Sequence, residues 1–224
     1  GSDNLNVTYD TYDKTIKTVG KYDVMPLLDD GDGINANYGI STQKGVVTVE
    51  KATLTVALSK TQTITYGDDM PSYDFIYTGF AYDETAALVG HSASYTCDYS
   101  NAKRAGTFDV IASGSVLANY DVVYVPSQLI VKKANLVLTA VAHDAITYGD
   151  DMPSDFAYEA DGFVNGDDKS LLDGKVTFST LYVKGADASD TKYTFNVVCA
   201  DLENYVLNIG SAQSLVVNKA NYTK

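Results

Sequence analysis

Apolar and polar residues alternate along several short stretches of this chain. In "ATLTVAL" the residues Leu54, Val56 and Leu58 fall on one side, and further on Phe108, Val110 and Ala112 do the same. A period of two puts these side chains on one face of a strand, with polar neighbours on the other. Two stretches break the pattern. "DETAALVG" from Asp83 and "DDKSLLDG" from Asp167 each begin with an acidic cap candidate followed by good helix formers, which predicts one short helix in each place. The chain therefore reads as mainly β.

The pattern is also written more than once. "ITYGDDMPS" starts at Ile64 and again at Ile146, 146 − 64 = 82 positions later. Around it, "VEKATLTVALSKTQ" from Val49 aligns with "VKKANLVLTAVAHD" from Val131. Lys51-Ala52 returns as Lys133-Ala134 and Lys219-Ala220, and Asn37-Tyr38 returns as Asn119-Tyr120 and Asn204-Tyr205. "VGKYDVM" at Val19 matches "AGTFDVI" at Ala105, with "KYTFNVV" at Lys192 in third place; there Lys192 takes the position of the expected glycine, so this strand is expected to begin differently. Residues 1–50 read as the closing half of a preceding module, with Gly1-Ser2 as a cloning remnant. Residues 51–133 and 134–220 read as two full repeats and 221–224 as a tail. The near-absent linker in "VKKAN" predicts stiff end-to-end joining. The expected architecture is a row of small β-modules, either Ig-like sandwiches or β-grasp-like, with one short helix per repeat, arranged as an elongated rod.

Composition narrows the partners. Sixteen Lys and Arg against 29 Asp and Glu give a formal charge of -13, which repels phosphate backbones and argues against nucleic acid. No apolar run approaches the roughly 20 residues a membrane helix needs, so direct membrane insertion is not expected, and no signal peptide is seen. Eighteen Tyr and seven Phe without a single Trp favour pleated surfaces over helices.

The repeated turn has a structural reading at every position. Tyr66 and Tyr148 extend the strand alternation and bury their rings with the hydroxyls left wet; Gly67 and Gly149 permit a positive φ. Asp68 and Asp150 hydrogen-bond a nearby backbone N–H, and Pro71 and Pro153 hold the preceding residue extended. Adjacent carboxylates on an extended chain point opposite ways, which argues against a metal or acid–base pair there. The most calcium-like stretch is "DDGDGINAN", where Asp30, Asp32 and Asn35 offer oxygens, although the EF-hand spacing is not met. "NGDDKS" at Asn165 reads more simply as a helix cap. His91 and His143 occupy non-equivalent, loop-like positions away from any Ser or Cys motif and read as surface residues, and no nucleophile elbow or phosphate loop is present. No enzyme activity and no cofactor are expected. Cys97 and Cys199 sit at different places in their repeats and read as two buried thiols rather than a disulfide. An isopeptide bond between Lys51 and Asn119, or Lys133 and Asn204, is weighed against solvated lysines at a module junction, and the latter is preferred. The tyrosines raise a glycan site, because flat rings stack on sugars; Tyr77, Tyr82, Tyr95 and Tyr99 are its candidates. Gly79-Phe80 recurs as Gly162-Phe163, which points instead to a shared core role for Phe80.

The succession Lys-Ala-x-Leu-x-Val, Tyr-Gly-Asp-x-x-Pro, Gly-Phe, an Asp-led helix and Asn-Tyr resembles the bacterial MBG repeat of the YGX type, twice over residues 51–218 and as half a unit over 3–50. The resemblance implies extracellular bacterial proteins, surface-bound or secreted, built of many tandem modules, often adhesins, with no catalytic residues to carry over. The expected function is a non-catalytic structural or adhesive segment that spaces or presents a binding domain, monomeric within a longer multidomain chain. The alternative is a module that itself binds polysaccharide, host glycan or host glycoprotein through Tyr and Asp.

Overall fold

The computed structural model describes residues 6–10, 16–29, 38–99 and 103–223. The chain opens with an antiparallel three-stranded sheet, β1 (Asn6–Asp10), β2 (Gly20–Asp29) and β3 (Gly45–Val49), in spatial order β1-β2-β3.

The next seven strands are β4 (Ala52–Leu58), β5 (Gln62–Thr65), β6 (Phe75–Thr78), β7 (Ala93–Cys97), β8 (Gly106–Gly114), β9 (Tyr120–Val125) and β10 (Ser127–Lys132). They form a three-stranded sheet β6-β4-β9 and a four-stranded sheet β5-β10-β8-β7. The following seven repeat the plan: β11 (Ala134–Ala140), β12 (Ile146–Thr147), β13 (Tyr158–Asp161), β14 (Val176–Thr180), β15 (Ser189–Cys199), β16 (Tyr205–Ile209) and β17 (Gln213–Asn218). Their sheets are β13-β11-β16 and β12-β17-β15-β14. In both copies the first strand runs parallel to the sixth and antiparallel to the third, and the second runs parallel to the seventh.

Alternation decides which side chains are buried. Leu54 and Val56 of β4 and Val110 of β8 have no exposed surface, and Leu58, Phe108 and Ala112 are buried beside them in sequence. Leu136 and Leu138 of β11 answer Leu54 and Val56. In the second repeat β11 lies against β15, whose Tyr193, Phe195 and Val197 are buried. Each of these larger side chains adds on the order of 1.5 to 3 kcal/mol by leaving water.

By contacts the chain divides into two compact units, and the division cuts across the sequence repeats. One comprises Gly1–Ser59, Tyr73–Thr96 and Ile111–Pro126; the other comprises Lys60–Ser72, Cys97–Val110 and Ser127–Lys224. Each unit thus contains one place where a repeat meets its neighbour. The opening sheet meets the β6-β4-β9 sheet within the first, and the β5 and β10 region meets the second repeat within the other.

Two expectations need correction. The slot at Lys169–Leu172 holds a short 3-10 helix capped by Asp168, whose carboxylate accepts from Ser170 N at 2.8 Å. The matching slot after Asp83 is a succession of turns, not a helix. Both slots are entered through two left-handed residues, Tyr82 and Asp83 with φ of 53° and 57° and Asn165 and Gly166 with φ of 59° and 81°. What differs is the cap, since Thr85 stands where the second slot has Asp168 and its hydroxyl accepts from Leu88 N at a longer 3.3 Å. The second correction concerns alignment. Leu129 pairs with Phe108, and its counterpart Leu215 pairs with Tyr193, not with Phe195. The third-place match therefore moves by two residues, and the register of β15 shifts between Ser189 and Tyr193. An irregular strand start is present, as Lys192 led one to expect, but a shift in the register of the ladder carries it, not a single Gly replacement.

Candidate functional site: the repeated turn and the repeat junction

The repeated stretch folds into the same turn twice. Asp68 N donates to Thr65 O at 3.0 Å, and Asp150 N to Thr147 O at 2.9 Å, closing four-residue turns. Gly67 and Gly149 occupy the third position with φ of 99° and 95°, the geometry of a type II turn that favours glycine. The aspartates then reach back. Asp68 Oδ2 accepts from Thr65 N at 2.8 Å and Asp150 Oδ2 from Thr147 N at 2.7 Å. These carboxylates are engaged in the turn itself. Asp151, next along, pairs with Lys184 at 3.0 Å in a solvent-exposed position. Pro71 and Pro153 are half-buried just beyond the turns.

A second tyrosine secures each turn, and sequence reasoning gave it no such role. Tyr99 Oη donates to Asp68 O at 3.2 Å and Tyr182 Oη to Asp150 O at 2.8 Å. Both rings are buried. Burial, followed by the nearby Asp68 or Asp150 carboxylate, raises each phenol above its ordinary pKa. A signal was available: Tyr95-x3-Tyr99 and Phe178-x3-Tyr182 are the same spacing of aromatics.

Tyr66 departs from the expected wet hydroxyl. Its ring is 4% exposed. Its Oη donates to Asp167 Oδ2 at 3.0 Å and accepts from Asn165 Nδ2 at 3.0 Å. Asp167 also accepts from Tyr205 Oη at 2.7 Å, and Val164 N donates to that same Tyr205 oxygen at 3.1 Å. The Tyr66 and Tyr205 rings meet edge to face, 5.6 Å between centroids. One carboxylate thus collects a hydroxyl from each of two successive repeats. Burial and Asp167 together push the Tyr205 phenol up to about 12, so it remains a neutral donor.

The repeated Asn-Tyr pair belongs to this junction. Asn204 Oδ1 accepts from Ala105 N at 3.0 Å, and Asn119 Oδ1 accepts from Val19 N at 3.1 Å. The donors Val19 and Ala105 are matched positions in "VGKYDVM" and "AGTFDVI", one module upstream of the asparagine each time. Tyr120 repeats the role of Tyr205: its Oη accepts from Ala81 N at 2.9 Å and donates to Glu84. Phe80 and Phe163 pack edge-on against Tyr120 and Tyr205, at 5.9 and 6.0 Å, which gives the shared Gly-Phe its core role. Lys51 Nζ donates to Leu117 O at 3.3 Å and Lys133 Nζ to Leu202 O at 2.8 Å. The lysines hold carbonyls and the asparagines hold backbone N–H groups, so neither pair is arranged as an isopeptide.

The histidines are not surface residues. His91 is buried, with Nδ1 3.3 Å from Tyr77 Oη and Nε2 3.1 Å from Tyr124 Oη; two hydroxyls satisfy both ring nitrogens, which makes burial tolerable. His143 packs on Phe156 and lies 3.0 Å from Asp155 Oδ1 and 2.6 Å from Asp144 O. Burial opposes its charge, but Asp155 and the Asp144 carbonyl outweigh it and hold the imidazole above its ordinary pKa.

The glycan candidates do not offer open ring faces. Tyr99 is buried, Tyr77 is half-buried, stacked on Phe80 and bonded to His91, and Tyr95 packs against Tyr73 and Phe75. Only Tyr82 among the four is exposed, and Lys17 Nζ lies 5.1 Å over its ring. The adjoining cleft, lined by Lys17, Val19, Tyr82, Glu84, Asn119 and Tyr120 among others, measures about 110 Å³, small beside the few hundred Å³ of a usual ligand site. Asp30, Asp32 and Asn35 lie outside the described residues. Among the described residues no group of three or more His, Cys, Asp and Glu is placed to hold a metal ion, and no helix is long and apolar enough to cross a membrane. Cys97 is buried and Cys199 half-buried, both as thiols.

Comparison with curated proteins finds no match to this sequence. A family model does match: the MBG domain of the YGX type covers residues 54–130 and again 136–216. With two adjacent copies spanning most of its length, the chain belongs to the MBG domain (YGX type) family.

Proposed function

We propose that this chain is a non-catalytic structural segment of a bacterial cell-surface or secreted protein, a stalk of tandem modules that spaces or presents a binding domain. MBG domains are typical of surface-associated repeat proteins, and a scaffolding role is in keeping with that setting. The observation that carries the reading is where the twice-written polar residues are used. Tyr66, Asp68, Asn119, Tyr120, Asp150, Asn204 and Tyr205 all bond the chain's own backbone or the neighbouring repeat. A binding segment would instead spend its recurring polar groups on a ligand-facing surface.

A stalk requires an elongated particle, so small-angle scattering tests the proposal. Two and a half modules in line give a radius of gyration of roughly 27 to 30 Å, against about 17 Å for a compact chain of this length. A monomer near the compact figure overturns the stalk. Binding on a glycan array or a polysaccharide pull-down, lost on Tyr82→Ala, favours the recognition module in its place.

A further inference from the structure

The same turn meets different surroundings in the two repeats, and the difference identifies a surface. Around Tyr66 the second repeat closes in: Asn165 and Asp167 bond its hydroxyl, Tyr205 meets its ring, and a Cβ added at Gly67 would lie 2.7 Å from the Val164 side chain. Around Tyr148 the chain leaves space. Its ring is 49% exposed, Met152 is 54% exposed, and a Cβ at Gly149 would meet nothing within 4 Å. The two turns have the same backbone, the same Asp-to-backbone bond and the same supporting tyrosine. They differ in whether a module covers them.

We propose that the face formed by Tyr148, Gly149 and Met152 is a docking surface for a further module of this family. Its occupant presents a loop like Val164–Asp167, with two left-handed residues before an acid, beside an Asn-Tyr pair like Asn204-Tyr205. The chemistry of recognition is specific. The incoming acid receives the Tyr148 hydroxyl as Asp167 receives that of Tyr66, and the incoming tyrosine meets the Tyr148 ring edge-on. The first repeat carries the same equipment in variant form: Tyr82 and Asp83 are left-handed as Asn165 and Gly166 are, Glu84 stands for Asp167, and Asn119-Tyr120 for Asn204-Tyr205. Val131 pairs with Gly106 and its counterpart Val217 with Ser189, so by register the counterpart of Ala105 is Ala188, just before the register shift in β15, and the Tyr148 hydroxyl and ring carry the prediction. The inference goes beyond the stalk reading, since a chain that bound glycans would still join its modules this way.

Tyrosine nitration by tetranitromethane, read by peptide mass spectrometry, tests it. In the 224-residue chain Tyr148 should react at least about tenfold faster than Tyr66, reflecting its open surroundings. In a chain extended after Ala220 by a second copy of residues 135–220, Tyr148 should slow to the rate of Tyr66, while exposed Tyr9 keeps its rate. Asn165→Ala with Asp167→Ala in the added copy should restore fast reaction at Tyr148. Unchanged reactivity of Tyr148 in the extended chain overturns the proposal, and protection that survives the double substitution overturns the assigned contacts. Fast nitration of the added copy's own Tyr205 would mean that copy had not folded. An extension by residues 53–134 then takes its place, and if that too leaves Tyr148 reactive the proposal is wrong.

Discussion

A single methyl group separates the two turn glycines in what it would meet. At Gly149 an added Cβ finds open space, so Gly149→Ala carries only the left-handed backbone penalty, about 1 to 2 kcal/mol. At Gly67 the same Cβ also runs into Val164, and overpacking adds on the order of 1 to 3 kcal/mol. Urea titration of the two variants should rank Gly67→Ala clearly lower, and equal losses would mean that Val164 does not close over the first turn. A second residue-scale test lies at Tyr193, which takes the slot of Phe108 by strand register. Among the described residues its buried hydroxyl has no hydrogen bond of regular geometry. The cation beside it is Lys192, whose Nζ stands over the ring, 5.4 Å from the centroid, and whose pKa is raised first by its contact with Tyr193. Tyr193→Phe removes an unsatisfied polar atom while keeping the packing, so it should stabilise by up to about 1 kcal/mol. A loss of similar size would show that the hydroxyl is satisfied in solution.

At the scale of elements, His143 and Asp155 join the segment after β11 to the segment before β13. The imidazole is held above its ordinary value, so its contribution is full below the unfolded pKa near 6.5 and fades as pH rises through the raised value. Asp155 is shifted down, first by its hydrogen bond to His143, so its contribution holds above about 4 and is lost on further acidification. The pair therefore works best between roughly pH 4 and 6.5. Melting curves of the parent and Asp155→Asn should differ most near pH 5 to 6 and converge toward pH 8. A difference independent of pH would assign the effect to packing. The helix slots belong to this scale as well. Both are entered through left-handed residues, Tyr82 and Asp83 in one and Asn165 and Gly166 in the other, yet only the slot capped by Asp168 forms a helix, and the one with Thr85 in that place closes as turns.

For the whole molecule, the asparagine contacts predict coupling between neighbours. Repeat arrays gain stability from nearest-neighbour interfaces, and Asn119 and Asn204 each satisfy a backbone N–H of the module before them. Asn204→Ala should cost about 1 kcal/mol and broaden thermal unfolding, because the second repeat then melts less cooperatively with what precedes it. An unchanged, equally sharp transition would make the contact incidental. Calcium is a second whole-chain test. With Asp68 and Asp150 engaged by backbone N–H groups and Asp151 by Lys184, millimolar calcium or a chelator should leave the melting temperature unaltered. A rise of several degrees would direct attention to Asp30 and Asp32.

The sequence by itself determined the strands, the repeat and the turn. Those depend on local rules: a period of two, a glycine where φ must be positive, an aspartate within reach of its own backbone. Leu54, Val56, Phe108, Gly67 and Asp150 could all be read from neighbours a few residues away. The junction was decided only by the tertiary structure. Tyr66 meets Asp167 across 101 positions and Asn204 meets Ala105 across 99, and no local pattern specifies partners at that separation. His91 follows the same logic: a ring that looks polar and exposed in sequence is buried once two tyrosine hydroxyls from different strands converge on its nitrogens. Repetition told us that Asn-Tyr mattered. Only the packing of one repeat against the next showed that its chemistry is directed at the chain itself.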